Sequence, residues 1–177
     1  MCLHATQALP PEPASAGAAR NFLRDRFAEW GLLSIIDDAQ LALTELVTNA
    51  VLHARTPLTV SVSCTRGFVE IAVFDGSAVL PATRPAGDVA GDAADVIRPH
   101  VQDSGETARG RGLLLVDALA AEWGVSPQSD GKAVWIRTPV PVGWSYPGGC
   151  ACDDDAVNGE TAAFFSLASG ASVAVRN

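Results

Sequence analysis

Asp37-Asp-Ala-Gln-Leu-Ala-Leu-Thr-Glu-Leu-Val-Thr-Asn-Ala-Val-Leu-His-Ala54 is the stretch whose period decides what kind of fold this chain adopts. Leu41, Ala42, Leu46, Val47, Ala50 and Val51 recur at three- and four-residue steps, the spacing of one apolar face on an α-helix. Asp37 and Asp38 stand where capping carboxylates begin such a helix. On another side Glu45, Asn49 and His53 follow each other at four-residue steps, so a carboxylate, an amide and an imidazole share one ridge. Taken alone, that ridge reads as the wet side of an ordinary amphipathic helix.

Upstream, Ala18, Phe22, Leu23, Phe27 and Trp30 keep a helical stripe from Pro13 onward, and Gly31 ends it. Leu32 to Ile36 is a short apolar connector, which predicts two helices packed as antiparallel neighbours. Before Pro10, the segment His4 to Leu9 reads as an edge strand. Downstream the period changes to two. The runs Leu58 to Cys64 and Phe68 to Phe74 alternate on either side of Arg66-Gly67, which predicts an antiparallel hairpin. A third strand, Lys132 to Arg137, follows a turn rich in Ser, Asp and Gly.

Between Ser77 and Ala108 no period is sustained, apart from a single helical turn over Asp92 to Ile97; a segment this long inside a compact domain is either a lid or a solvated loop. From Gly112, a helix is predicted over Leu113 to Glu122, burying Leu114, Leu115, Ala118 and Leu119 and ending near Trp123-Gly124. Helices, then a hairpin, then helix and strand predict a two-layer α/β sandwich, its helices on one face of a mixed, mainly antiparallel sheet. The domain is expected over residues 1–139. Residues 140–177, with their Gly, Pro and Asp153-Asp-Asp155, read as a loosely structured tail with one short helix over Thr161 to Leu167.

A chain of 177 residues, 48% of them apolar, is long enough to bury a sizeable core. A net charge of −8 without clustered Lys and Arg argues against gripping nucleic acid through its phosphates. No run approaches the length of a membrane span and Met1 to Pro10 lacks the pattern of a leader, so a cytoplasmic location is expected. Cys2, Cys64, Cys150 and Cys152 lack the spacing of a zinc site and are expected as free thiols. Of the twelve basic residues, Lys132 alone is a lysine.

Glu45-x-x-x-Asn49, then Asp75-Gly76, then Gly110-Arg-Gly-Leu-Leu-Leu-Val116, in that order and spacing, resembles the nucleotide-binding boxes of the GHKL ATPase superfamily. The likeness runs from about Pro13 to Pro139 and is greatest to the serine-kinase anti-sigma factors and their stand-alone relatives. It implies a Bergerat-like α/β sandwich, with residues 77–108 as a lid over the nucleotide and ATP with Mg²⁺ as cofactors. Within it, Asn49 is implied as metal ligand, giving the ion a neutral oxygen. Glu45, one turn earlier, is implied as general base, with a plain surface carboxylate as the alternative. Asp75 is implied to accept the exocyclic amine of adenine, and Gly76 to let the backbone pass close to the purine; by itself Asp-Gly is an ordinary turn. Gly110 and Gly112 flank Arg111 at a helix start, where N–H groups and the helix dipole favour phosphate. The implied cofactor-binding set is Asn49, His53, Asp75, Gly76, Arg109, Gly110, Arg111, Gly112 and Leu113. Arg109 and Arg111 read equally as surface cations, and His53 as packing near the nucleotide without acting as a phosphoacceptor.

The resemblance further implies a regulator that binds Mg-ATP, sequesters a sigma factor and phosphorylates a serine or threonine of an anti-sigma-factor antagonist. Such a regulator is often a homodimer and touches neither nucleic acid nor membrane. The alternative is a nucleotide-gated protein-binding module of the same fold without kinase activity, and a third reading is a scaffold that needs no ATP. Leu52 stands where many relatives carry Arg or Lys, Ser77-Ala78 lack a second glycine, and Ala133 stands where relatives often have a nucleotide-contacting Thr. Those departures favour binding over turnover.

Overall fold

Strand pairing organises the molecule, for which a computed structural model describes residues 3–65, 67–79, 111–145 and 173–175, with the backbone alone at 65, 111–114 and 173–175. The strands are β1 (Leu3–Leu9), β2 (Leu58–Thr65), β3 (Phe68–Asp75), β4 (Glu122–Gln128), β5 (Gly131–Pro139) and β6 (Val173–Val175). They form one sheet in the order β1-β2-β3-β5-β4-β6, and every neighbouring pair is antiparallel. The helices are α1 (Ser15–Trp30), α2 (Ile36–Asn49) and α3 (Arg111–Leu119).

Alternation in the strands sorts the two faces. Register places Val60, Val62, Val69, Ile71, Val73 and Ile136 on one face, where they are almost fully buried with Leu23, Phe27, Leu43 and Val47 of the helices. This is the core. Truncating a side chain such as Phe27, fully enclosed there, removes both its transfer free energy and its packing, about 3–5 kcal/mol. On the opposite face, Arg137 donates to Glu70 at 2.7 Å and Glu122 at 3.5 Å while its guanidinium lies 4.9 Å from the Trp135 ring centroid. The predicted two-layer α/β sandwich is therefore the architecture, with the described sheet wholly antiparallel.

Gly31 ends α1 as expected, in the left-handed region at φ 71°, with its N–H turned back to the carbonyls of Phe27 and Ala28. The Leu33–Ile35 connector is a 3-10 turn that runs directly into α2. Asp37 and Asp38 therefore do not cap α2; they lie inside its first turn, where their charge complements the positive end of the helix dipole. Nor does the α-helix continue to Ala54, because Ala50–Ala54 is a π-helical turn.

The C-terminal part departs further from the sequence pattern. α3 ends at Leu119, and Glu122, expected as the last residue of that helix, begins strand β4. Pro127 disguises the strand. It is tolerated because β6 pairs only with Trp123 to Val125, so on that side the missing N–H has no partner to lose. Strand β6 lies within the tail, where the sequence pattern predicts no strand. After β5, Trp144 folds back, its indole N–H donating to the Trp30 carbonyl at 2.8 Å. The predicted lid beyond Val79, its turn over Asp92 to Ile97 and the helix expected over Thr161 to Leu167 lie outside the described residues. Among the described residues no helix is long and apolar enough to cross a membrane.

Candidate functional site

The end of α2 supplies the first wall. Glu45 and Asn49 sit one turn apart and half-buried, and neither side chain makes a hydrogen bond or ion pair to a described residue. Immediately after Asn49 the backbone changes to π geometry, with the Arg55 N–H bonded to the Ala50 carbonyl at 3.3 Å, five residues back, and Arg55 itself at φ 56°. Single π turns of this kind recur at functional sites. His53, on this wider turn, is exposed where Glu45 and Asn49 are half-buried. Of the expected three-residue ridge, Glu45 and Asn49 lie on α2 and His53 on the π turn that follows it.

The end of β3 supplies the second wall. Counting from Ile71 and Val73, Asp75 points to the helix-covered face, and it is buried there with only 2% of its side chain exposed. Its cross-strand neighbour is Lys132, whose side chain is 7% exposed. The Lys132 ammonium donates to Asp75 Oδ1 at 2.8 Å and to the Ser77 carbonyl at 3.2 Å, and the Ser77 N–H donates to the same Oδ1 at 2.9 Å. No described group bonds Oδ2. Removing either charge alone strands the other in the interior, at a cost of about 3–5 kcal/mol.

Two glycines make this corner possible. Gly76 donates its N–H to Thr56 Oγ1 at 2.8 Å, and a Cβ at Gly76 would meet the Thr56 side chain at 3.2 Å. Gly131, at φ 154°, lies so close to the Asp75 carbonyl that no Cβ fits between them. Thr56 follows the π turn by two residues, so this contact joins the end of α2 to the Asp75-Gly76 turn. The chain leaving the π turn and the Asp75-Gly76 turn therefore touch through Thr56.

The third motif is placed in part. Arg111, Gly112 and Leu113 lie in the first turn of α3, which packs along α2 and buries Val116 completely. Arg109 and Gly110 lie outside the described residues. Of the departures from the family pattern, Leu52 is 55% exposed on the π turn. Ala133 is buried, but register turns it, opposite Phe74, to the face away from the helices. The position facing the site is Lys132, not Ala133. Lys132 and Thr56 are the residues that motif reading misses; the one available signal is that Lys132 is the chain's single lysine.

A family model described as the histidine kinase-like ATPase domain matches residues 9–138. The crystal structure of the RsbU and RsbW domains of Rv1364c from Mycobacterium tuberculosis is similar, with a TM-score of 0.53 at 20% identity over 78% of this chain and 32% of that one. At that identity the likeness is one of fold, and the chain spans about a third of that protein's length. No curated protein matches the sequence. With well over half of its residues inside the family match, and with the two-layer fold that the structural likeness bears out, the chain belongs to the histidine kinase-like ATPase domain family.

Proposed function

We propose that the chain is a cytoplasmic ATP-binding regulator of the anti-sigma-factor kind, working through protein partners: a sigma factor and an anti-sigma-factor antagonist. The observation that carries the nucleotide site is Asp75, a buried carboxylate with one oxygen bonded by no described group, in a corner packed tightly through two glycines. Asp75 accepts a hydrogen bond from the base, and Gly76 admits the purine against the backbone. Asn49 is the ligand for Mg²⁺ through its side-chain oxygen; as a half-buried amide with no described partner, it fits that duty. The bound metal supplies charge neutralisation for the phosphate oxygens. Glu45, one turn earlier, accepts the proton of an attacking hydroxyl. The first turn of α3, with Arg111, Gly112 and Leu113 and the preceding Arg109 and Gly110, holds the phosphates. His53, exposed on the π turn, contributes at most packing beside the nucleotide.

Calorimetric titration with Mg-ATP tests the site. Wild type binds, whereas Asn49→Ala and Asp75→Ala stay folded and bind at least about tenfold more weakly, the scale of one lost hydrogen bond to a charged group. Unaltered affinity in both variants removes the assignment. Transfer of labelled γ-phosphate to a candidate antagonist, lost in Glu45→Ala, distinguishes a kinase from a nucleotide-gated module. The second reading draws on Leu52, an exposed apolar side chain beside the site that offers the phosphates no charge.

A further inference from the structure

Building on the nucleotide-binding reading above, we propose that Lys132 makes this corner a purine site that accepts guanine as well as adenine nucleotides. A carboxylate alone offers only acceptors. Adenine presents a donor, its N6 amine, beside an acceptor, N1; guanine presents an acceptor, O6, beside donors at N1 and N2. A lone buried carboxylate would set lone pair against lone pair at O6, and sites that leave buried polar groups unpaired discriminate by orders of magnitude.

Lys132 changes that arithmetic. Its ammonium carries three donors, of which Asp75 Oδ1 and the Ser77 carbonyl take two. One donor of the ammonium is left over, and no described group bonds Asp75 Oδ2, so the ion pair has one donor and one acceptor to offer. With its side chain 7% exposed, the lysine does not swing into solvent, and any base placed against Asp75 meets it. Adenine satisfies the pair through N6–H to Oδ2 and the ammonium to N1. Guanine satisfies it through the ammonium to O6 and N1–H to Oδ2. The charges of Asp75 and Lys132 cancel, so neither purine faces a bare ion.

The test is equilibrium binding of Mg-ATP, Mg-GTP and Mg-ITP to the full chain and to Lys132→Met and Lys132→Arg. In wild type, GTP binds within about tenfold of ATP, and ITP, which keeps O6 and lacks the N2 amine, tracks GTP. One good base contact is worth about tenfold or more, so Lys132→Met weakens GTP by at least that factor relative to ATP, while Lys132→Arg retains it. Should Lys132→Met fail to fold, wild type and Lys132→Arg decide. Wild type that binds ATP but takes GTP more than a hundredfold less tightly overturns the inference, as does a GTP-to-ATP ratio unmoved in folded Lys132→Met. Folded wild type that binds none of the three overturns the nucleotide-binding reading itself, and this inference with it.

Discussion

Gly131 illustrates how a single position holds the site in shape. At φ 154° and pressed against the Asp75 carbonyl, it is the one residue between the Ser129-Asp130 turn and Lys132 that the corner tolerates. Gly131→Ala combines an overpacking penalty with a backbone conformation that L residues avoid, so a loss of about 3 kcal/mol or more is expected in urea denaturation, together with loss of nucleotide binding. An alanine variant of wild-type stability would show that the corner opens freely. The ion pair beside it makes a second prediction. Asp75→Asn and Lys132→Met are each expected to cost about 3–5 kcal/mol, and the double variant clearly less than their sum, because removing both charges leaves neither stranded. Additive losses would mean that the two groups do not feel each other. At this scale the sequence is half legible. Asp75-Gly76 announces itself as a motif, whereas Lys132 acquires its place only through cross-strand register, which no local pattern encodes.

At the scale of elements, strong periodicity makes α1, α2, the β2–β3 hairpin and β5 readable from the sequence alone, because each buries a continuous apolar face on one core. The π turn is hidden, since changing the bond from four to five residues back leaves hydrophobic composition intact and moves only the azimuth of the residues beyond it, here His53. Strand β4 is hidden by adjacency, its Trp123 and Val125 continuing the apolar run of α3 with only Ala120 and Ala121 between. The edge strand β1 carries a prediction of its own. His4, half-buried with Nε2 3.1 Å from Ser61 Oγ, has its pKa lowered from 6.5 by burial. The unfolded chain therefore binds the proton more readily than the folded one, so stability is fully present above 6.5 and declines as pH falls below it toward the folded value. Denaturation midpoints measured across that range should fall on acidification in wild type, and less steeply in His4→Gln. Identical slopes would remove His4 as a source of the dependence.

For the whole molecule, the question is where the domain stops. The match to the family ends at residue 138, and the sequence turns Gly- and Pro-rich soon after, which puts the expected boundary at Pro139. Two contacts argue that the folded unit extends past it. Trp144 packs partly against the core and fastens the end of α1 through the Trp30 carbonyl, while β6 completes the edge of β4 from a position thirty-four residues beyond β5 (173 − 139 = 34). A chain ending at Pro139 loses both, and one ending at Ser145 keeps the tryptophan but leaves β4 as an open edge, a template for association with other chains. Stability in urea should therefore fall in the order full chain, 145-residue form, 139-residue form. The step from 145 to 139 is expected to cost about 1–3 kcal/mol, below the value for a fully buried Trp because Trp144 is only half covered. Light scattering should show the 145-residue form associating as its concentration rises while the full chain does not. If the 139-residue form is as stable as the full chain, the contacts of Trp144 and β6 are decoration on a domain already complete at Pro139.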